Sequence, residues 1–269
     1  MDDNVLIFGL YGQSLLLNVE EFPIDGETVF GDLLSLEPGG KGYNQAVSVA
    51  RNGVPVRFVT AVGNDEFGNR LQDDCKNEGI DGSFCIKIPN YHTAIASVMS
   101  NKHASSRVIV SKGACGKFFP ELVSKEVFQG CSILLLQLEL PVELALYAAL
   151  EAKKDKSLVV LNPAPAQNIP KELINATDIV TPNYIEALKL TSCYENCELE
   201  TIAGKMHDMG FKNIIITLGE QGVYVSLITG ENYMQPALRI KAVDSTAAGD
   251  TFNGSLVASL YNRNDIKQS

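Results

Sequence analysis

Short runs of apolar residues recur along the chain at 5–9, 57–62, 132–137, 158–162, 178–181 and 213–218, each bounded by turn residues. A strand buried on both faces needs such an uninterrupted run, so each predicts one strand of a covered sheet. Between them, 43–51, 66–76, 141–153, 184–191 and 201–209 carry Ala, Leu, Val and Met at helical spacing. The alternation predicts an α/β fold in which crossover helices cover one sheet. Two segments depart from this rhythm, 15–36 and 93–111. In the second, Ile95, Ser97 and Met99, then Val108 and Val110, recur with period two. That pattern predicts half-exposed strands, paired into a small sheet that stands off the main one as a lid. A further helix is expected over 248–261, then a turn at 262–264 and an N-cap at Asp265. The expectation is one domain spanning 1–269, cut short at its C-terminus.

Charge and cysteine usage narrow the function classes. The chain has 22 basic and 32 acidic side chains, a net of −10, which repels a phosphate backbone and argues against nucleic acid as a partner. No apolar stretch approaches the roughly 20 residues of a membrane span, and Asp2 and Asp3 precede the first apolar run where a signal peptide would be basic. Six scattered cysteines suit a reducing, cytoplasmic setting. Cys193 and Cys197 lack a second Cys or His pair, and His92, His103 and His207 stand alone, so no thiolate metal site is expected.

Two loops carry the candidate chemistry. Gly39, Gly40, Lys41 and Gly42 run into a helix, a setting in which backbone amides approach a polar ligand beside a positive helix end. The same cluster also serves as a plain tight turn, and it is not a Walker loop. Asp244, Ser245, Thr246, Ala247, Ala248, Gly249 and Asp250 lead into the last helix. Small residues there leave amides open to an anion. The helix dipole keeps Asp250 ionised and able to take a hydroxyl proton, although a helix-capping Asp fits the same pattern.

Together GGKGYNQA and DSTAAGDTFNG resemble the two signatures of the ribokinase family of carbohydrate kinases. QLELP at 137–141, NPAPA at 162–166, TPNYIEA at 181–187 and TLGEQG at 217–222 extend the resemblance, in order, over essentially the whole chain. It implies a three-layer α/β/α sandwich with a small β-sheet lid, and ATP-dependent phosphorylation of a hydroxymethyl group on a small sugar. By the same resemblance Asp250 is the catalytic base, and the amides of Ala247, Ala248, Gly249 and Asp250 form the anion hole. Gly40, Lys41, Asn44 and Glu139 bind the sugar together with Asp250. Asn183, Thr217, Gly219 and Gly222 serve ATP, and Glu186 holds Mg²⁺ through water. Asp244 and Thr246 form half of a K⁺ site, so the implied cofactors are ATP, Mg²⁺ and K⁺.

One departure touches the substrate. Where the family carries an Asn and, two residues on, an Asp that grip sugar hydroxyls, this chain has Gly12 and Ser14. Losing both grips puts ribose in question and favours another acceptor, such as a nucleoside or a fructose-type sugar. A non-catalytic sugar or nucleotide sensor is the alternative from another class. The lid's outer face is expected to expose Leu17, Val19, Val29, Ile95 or Val98 in part, which points to a homodimer through the lid.

Overall fold

Val5, Leu6, Ile7 and Phe8 are all buried, as a central strand flanked by helices on both faces requires. They belong to a computed structural model of the chain that describes residues 3–103, 105–240, 245–262 and 265–266. In chain order the described elements are β1 (Asn4–Phe8), β2 (Gly12–Val19), β3 (Gly31–Gly39), α1 (Lys41–Arg51), β4 (Val56–Val59), β5 (Ala61–Val62) and α2 (Glu66–Asn77). Then come β6 (Ile86–Lys87), β7 (Ala94–Asn101), β8 (Ser106–Ser111), β9 (Cys131–Leu136), α3 (Val142–Lys154), β10 (Leu158–Leu161), α4 (Lys171–Ala176) and β11 (Ile179–Val180). The chain closes with α5 (Tyr184–Thr191), α6 (Leu199–Met209), β12 (Asn213–Thr217), β13 (Val223–Ser226), β14 (Asn232–Gln235) and α7 (Ala248–Tyr261).

Eight strands form the main sheet in the order β14-β13-β12-β11-β10-β9-β1-β4. The sheet is parallel from β4 to β12, and β13 and β14 close the far edge as an antiparallel hairpin. Alternate strand residues face two separate cores. Leu6, Phe8, Leu134 and Leu136 pack with α3 to α6, and Val5, Ile7, Ile133 and Leu135 pack with α1, α2 and α7. Small residues let α3 lie close on its side: Ala145, Ala148, Ala149 and Ala152 are all buried. The three layers are those the sequence predicts. The strand order reverses between β1 and β9, so the C-terminal ends of these two strands leave a crevice, the usual ligand position in such sheets.

A second sheet, β3-β2-β7-β8, is built from the two segments with period-two patterning. β2 pairs parallel with β7, while β3 and β8 flank them antiparallel. The register puts Ser14, Ala96, Val98, Val108 and Val110 toward one face and Leu15, Leu17, Leu36 and Ile109 toward the other. Leu17 and Val29 are partly exposed as expected; Ile95 and Val98 are also partly exposed but line the cavity beneath the sheet, Val98 from its inner rather than its outer face, and Val19 is buried where β2 ends against Gly31.

Three local differences have physical causes. The run 57–62 is not one strand, because the chain bends at the buried Thr60: β4 stays in the main sheet and β5 pairs with β6. α4 has six residues, too few to show a helical period, and Pro170 caps it. The β13–β14 hairpin turns at Gly230, whose φ is +87°, and its strands are too polar on one side to register as buried runs. The helix expected from Asp265 falls mostly on residues outside the described ones.

Candidate active site

The last helix supplies the first part of the site. Ala247 caps α7 in a left-handed conformation with φ of 58°, and no side chain closes the helix end. The amide of Ala248 donates to the Ser245 carbonyl at 3.2 Å, and that of Thr251 to the Ala247 carbonyl at 2.8 Å. The amides of Gly249 and Asp250 are left without an acceptor among the described residues, as first-turn amides are. A side chain on Gly249 would meet nothing within 4 Å, so the surface over these amides is open. Of the four expected anion-hole amides, Ala248's is therefore already used in a turn.

Asp250 is only 8% exposed. Its Oδ1 accepts from Gln45 Nε2 at 3.0 Å and its Oδ2 from Asn44 Nδ2 at 3.3 Å. Both partners sit on the first turn of α1, held against α7 by Ser48, which donates to the Thr251 carbonyl at 3.0 Å. The packing of α1 on α7 thus brings the two sequence signatures together.

Glu139 follows β9 at the crevice and accepts from the Lys41 amide at 2.8 Å. Burial pushes its carboxyl up to about 7. The positive Lys41 and Lys112 oppose the shift and the negative Asp250 adds to it. Glu186 is also raised, mainly by burial. It forms a capping box with Asn183: Glu186 N donates to Asn183 Oδ1 at 2.8 Å, and Asn183 N to Glu186 Oε2 at 2.9 Å. Its other oxygen, Oε1, has no hydrogen bond among the described residues.

Three cavities meet along the C-terminal edge of the sheet. One of about 480 Å³ lies under the small sheet, among Gly12, Ser14, Gly40, Lys41, Asn44, Glu139 and Asp250. A second, of about 200 Å³, is lined by Lys41, Asn183, Glu186, Thr217 and Ala247 to Asp250. A third, of about 550 Å³, opens beyond it among Asn183, Tyr184, Thr217 and Gly219. Lys41, Ala247 and Asp250 are shared by the first two, Asn183 and Thr217 by the last two.

Two glycines singled out in the sequence look different in the fold. Gly222 lines none of these cavities: a Cβ there would lie 2.0 Å from the Gln235 carbonyl oxygen, so the glycine answers to packing against β14. Gly12 lines the first cavity, but a Cβ on it would lie 2.3 Å from the Ala94 carbonyl oxygen, so β7 closes that position to any side chain. Thr246 lines the first cavity, and Asp244 lies outside the described residues.

A carboxylate at an open helix N-terminus, between an anion-sized cavity and an acceptor-sized one, is the layout of an enzyme that transfers a phosphoryl group to an alcohol. The profile of the pfkB family carbohydrate kinases matches residues 2–269, and the chain belongs to that family. It is 34% identical to the ribokinase of Haemophilus influenzae, over all of this chain and 89% of that protein. Among solved structures, ribokinase from Thermotoga maritima superposes with a TM-score of 0.90 at 34% identity, covering 98% of this chain and 88% of that one. Arabidopsis thaliana ribokinase complexed with ribose and ATP gives 0.91 at 27% identity, over 100% and 89% of the two chains.

Sequence reasoning does not reach the amides behind Asp250. Gln45, Gln137, Asn162, Thr181 and Asn253 are all buried polar residues connected by hydrogen bonds. A signal exists for Asn253, three residues after Asp250 on the same helix face, and for Gln45, next to Asn44.

Proposed function

We propose that this protein transfers the terminal phosphoryl group of ATP to a hydroxymethyl group of a small, ribose-like sugar. The carrying observation is the run of three joined cavities with Asp250 where the first two meet. Bound ATP with Mg²⁺ supplies the phosphoryl group and offsets its charge. In the sugar cavity Glu139, Lys41, Gly40 and Asn44 orient the acceptor, and Asp250 receives the proton of the attacking hydroxyl. Lys41 and the open amides of Gly249 and Asp250 stabilise charge on the transferring group. Asn183, Thr217 and Gly219 border the nucleotide, and the Oε1 of Glu186 is available to order metal-bound water. Potassium enters the proposal on the resemblance of the Asp244 to Thr246 segment.

The acceptor is the open choice within this reading. Ser14, Ala96, Val98, Val108 and Val110 make a wall with one hydroxyl and no charge, so it offers little purchase on a fully hydroxylated sugar. ADP release across ribose, deoxyribose, fructose and nucleosides tests the reading, with Mg²⁺ and with K⁺ exchanged for Na⁺. Turnover of at least one of these acceptors, abolished without Mg²⁺ and higher in K⁺, is expected. No turnover of any of them would leave a binding protein on a kinase fold.

The small sheet's outer face extends the proposal to a homodimer. Leu33 is 60% and Ile109 65% exposed, beside the partly exposed Leu15, Leu17 and Leu36. Burying an apolar side chain of this size contributes about 1.5–3 kcal/mol. Light scattering at micromolar concentration should give twice the chain mass, and Leu33→Asp with Ile109→Asp should return it to one. A monomer mass for the unmodified chain, with and without ligand, would reject the dimer.

A further inference from the structure

Gln45 is fully buried, and each polar atom of its amide is engaged. Its Nε2 donates to Asp250 Oδ1 at 3.0 Å and to Asn162 Oδ1 at 3.1 Å, and its Oε1 accepts from Gln137 Nε2 at 2.6 Å. Asn162 Nδ2 in turn donates to the Thr181 carbonyl at 2.9 Å, which turns the Asn162 oxygen toward Gln45. Each amide in this chain can point only one way. Two oxygens face Gln45 Nε2, so reversing it would set oxygen against carboxylate, and reversing Gln137 would set two amide oxygens together. Holding this arrangement leaves the buried Gln137 Oε1 without a partner among the described residues. An unmet buried acceptor costs about 1–3 kcal/mol. A network kept at that cost has a fixed direction, running from Gln137 through Gln45 into one oxygen of Asp250.

The two carboxylate oxygens of Asp250 therefore differ. Oδ1 is held from the protein interior, while among the described residues Oδ2 meets only Asn44, at 3.3 Å, and Asn44 itself lines the sugar cavity. We propose that Gln45 is a positioning residue that reserves Oδ1 of Asp250 and so fixes Oδ2 as the oxygen that receives the acceptor's proton. The proposal rests on the reading of Asp250 as the base. In the transfer the hydroxyl O–H bond breaks as its oxygen bonds to phosphorus, the proton passes to Oδ2, and ADP leaves with the electrons of the broken P–O bond. Gln45 touches neither substrate. It prevents the carboxylate from rotating by holding Oδ1 with one hydrogen bond. The charged groups that also face Asp250 are Glu139, Glu186 and Lys41, from the end of β9 and the starts of α5 and α1.

The test is steady-state kinetics of Gln45→Leu, with Gln137→Leu and Asp250→Ala beside it. Gln45→Leu should lower kcat about 10- to 100-fold with the sugar KM within about threefold, the split expected when the transfer step alone loses an interaction. Gln137→Leu removes a neighbour of Gln45 but no contact with Asp250, so its kcat should stay within about threefold of the parent. A kcat within about threefold in Gln45→Leu, a KM that rises as far as kcat falls, or an equal loss of kcat in Gln137→Leu makes the network structural and overturns the proposal. The inactivity of Asp250→Ala would then still uphold the base. An active Asp250→Ala removes the base and the proposal together. Should Gln45→Leu not fold, Gln45→Met keeps the side chain's length without its donor and carries the same test.

Discussion

Asp250→Ala is expected to lower kcat by about 10³-fold while the protein stays folded. Substitution leaves the donors of Gln45 and Asn44 unmet, which costs about 1–3 kcal/mol. It also removes a negative charge that pushes up both Glu139 and Glu186, and that relief offsets part of the loss. A net change of about 1 kcal/mol moves the melting temperature of a chain this size by roughly 2–4 °C. Calorimetry with initial-rate kinetics separates the two effects. A variant with a rate within tenfold of the parent would remove Asp250 from the chemistry, whatever its melting temperature.

Glu139→Gln should stabilise the ligand-free protein at alkaline pH and weaken sugar binding. With its carboxyl pushed up to about 7, against an unfolded value near 4.3, Glu139 binds its proton more tightly in the folded state. Stability from this group is therefore greatest below about pH 4.3 and falls as pH rises toward 7. Above pH 7 the full penalty remains, at most about 4 kcal/mol. Glutamine carries no such penalty and still accepts the Lys41 amide. The variant should thus melt well above the parent at pH 8 and only slightly above it at pH 5. The same substitution removes a charged acceptor from the sugar cavity, so the sugar KM should rise roughly 10- to 100-fold. In the parent, KM should rise as pH drops below about 7. Equal melting differences at pH 5 and pH 8 would show that Glu139 is ionised at an ordinary pH.

What the sequence made legible follows from how far each signal reaches along the chain. Buried strands such as 132–137 announce themselves in six residues, and helices such as 184–191 in two turns. The site residues of the two signatures were legible because each loop holds its small residues, charge and helix start within ten positions. Lys41, Asn44, Glu139 and Asp250 do line one cavity. The amides behind Asp250 were not legible, because a buried Gln or Asn reads as surface until its partners, 92 and 117 residues away for Gln45, are known. Gly222 shows a different limit. Its loop matches a nucleotide-side motif, yet the atom that excludes a side chain is a carbonyl on β14.

Among the described residues, the small sheet contributes no charged side chain to the sugar cavity. From it come Gly12, Gln13, Ser14, Ala94, Ile95, Ala96, Val98, Val108 and Val110, whereas Lys41, Glu139 and Asp250 come from the sandwich beneath. Acceptor choice and phosphoryl transfer are thus carried by separable parts of the chain. Substitutions along β2, β7 and β8 can retune which alcohol is accepted while the electrostatics at Asp250 stay as they are. Position 12 is excluded from that freedom by the Ala94 carbonyl, so a new hydroxyl-binding group has to enter from Ser14, from β7 or from β8. Evolution on this scaffold can therefore change diet without rebuilding its engine.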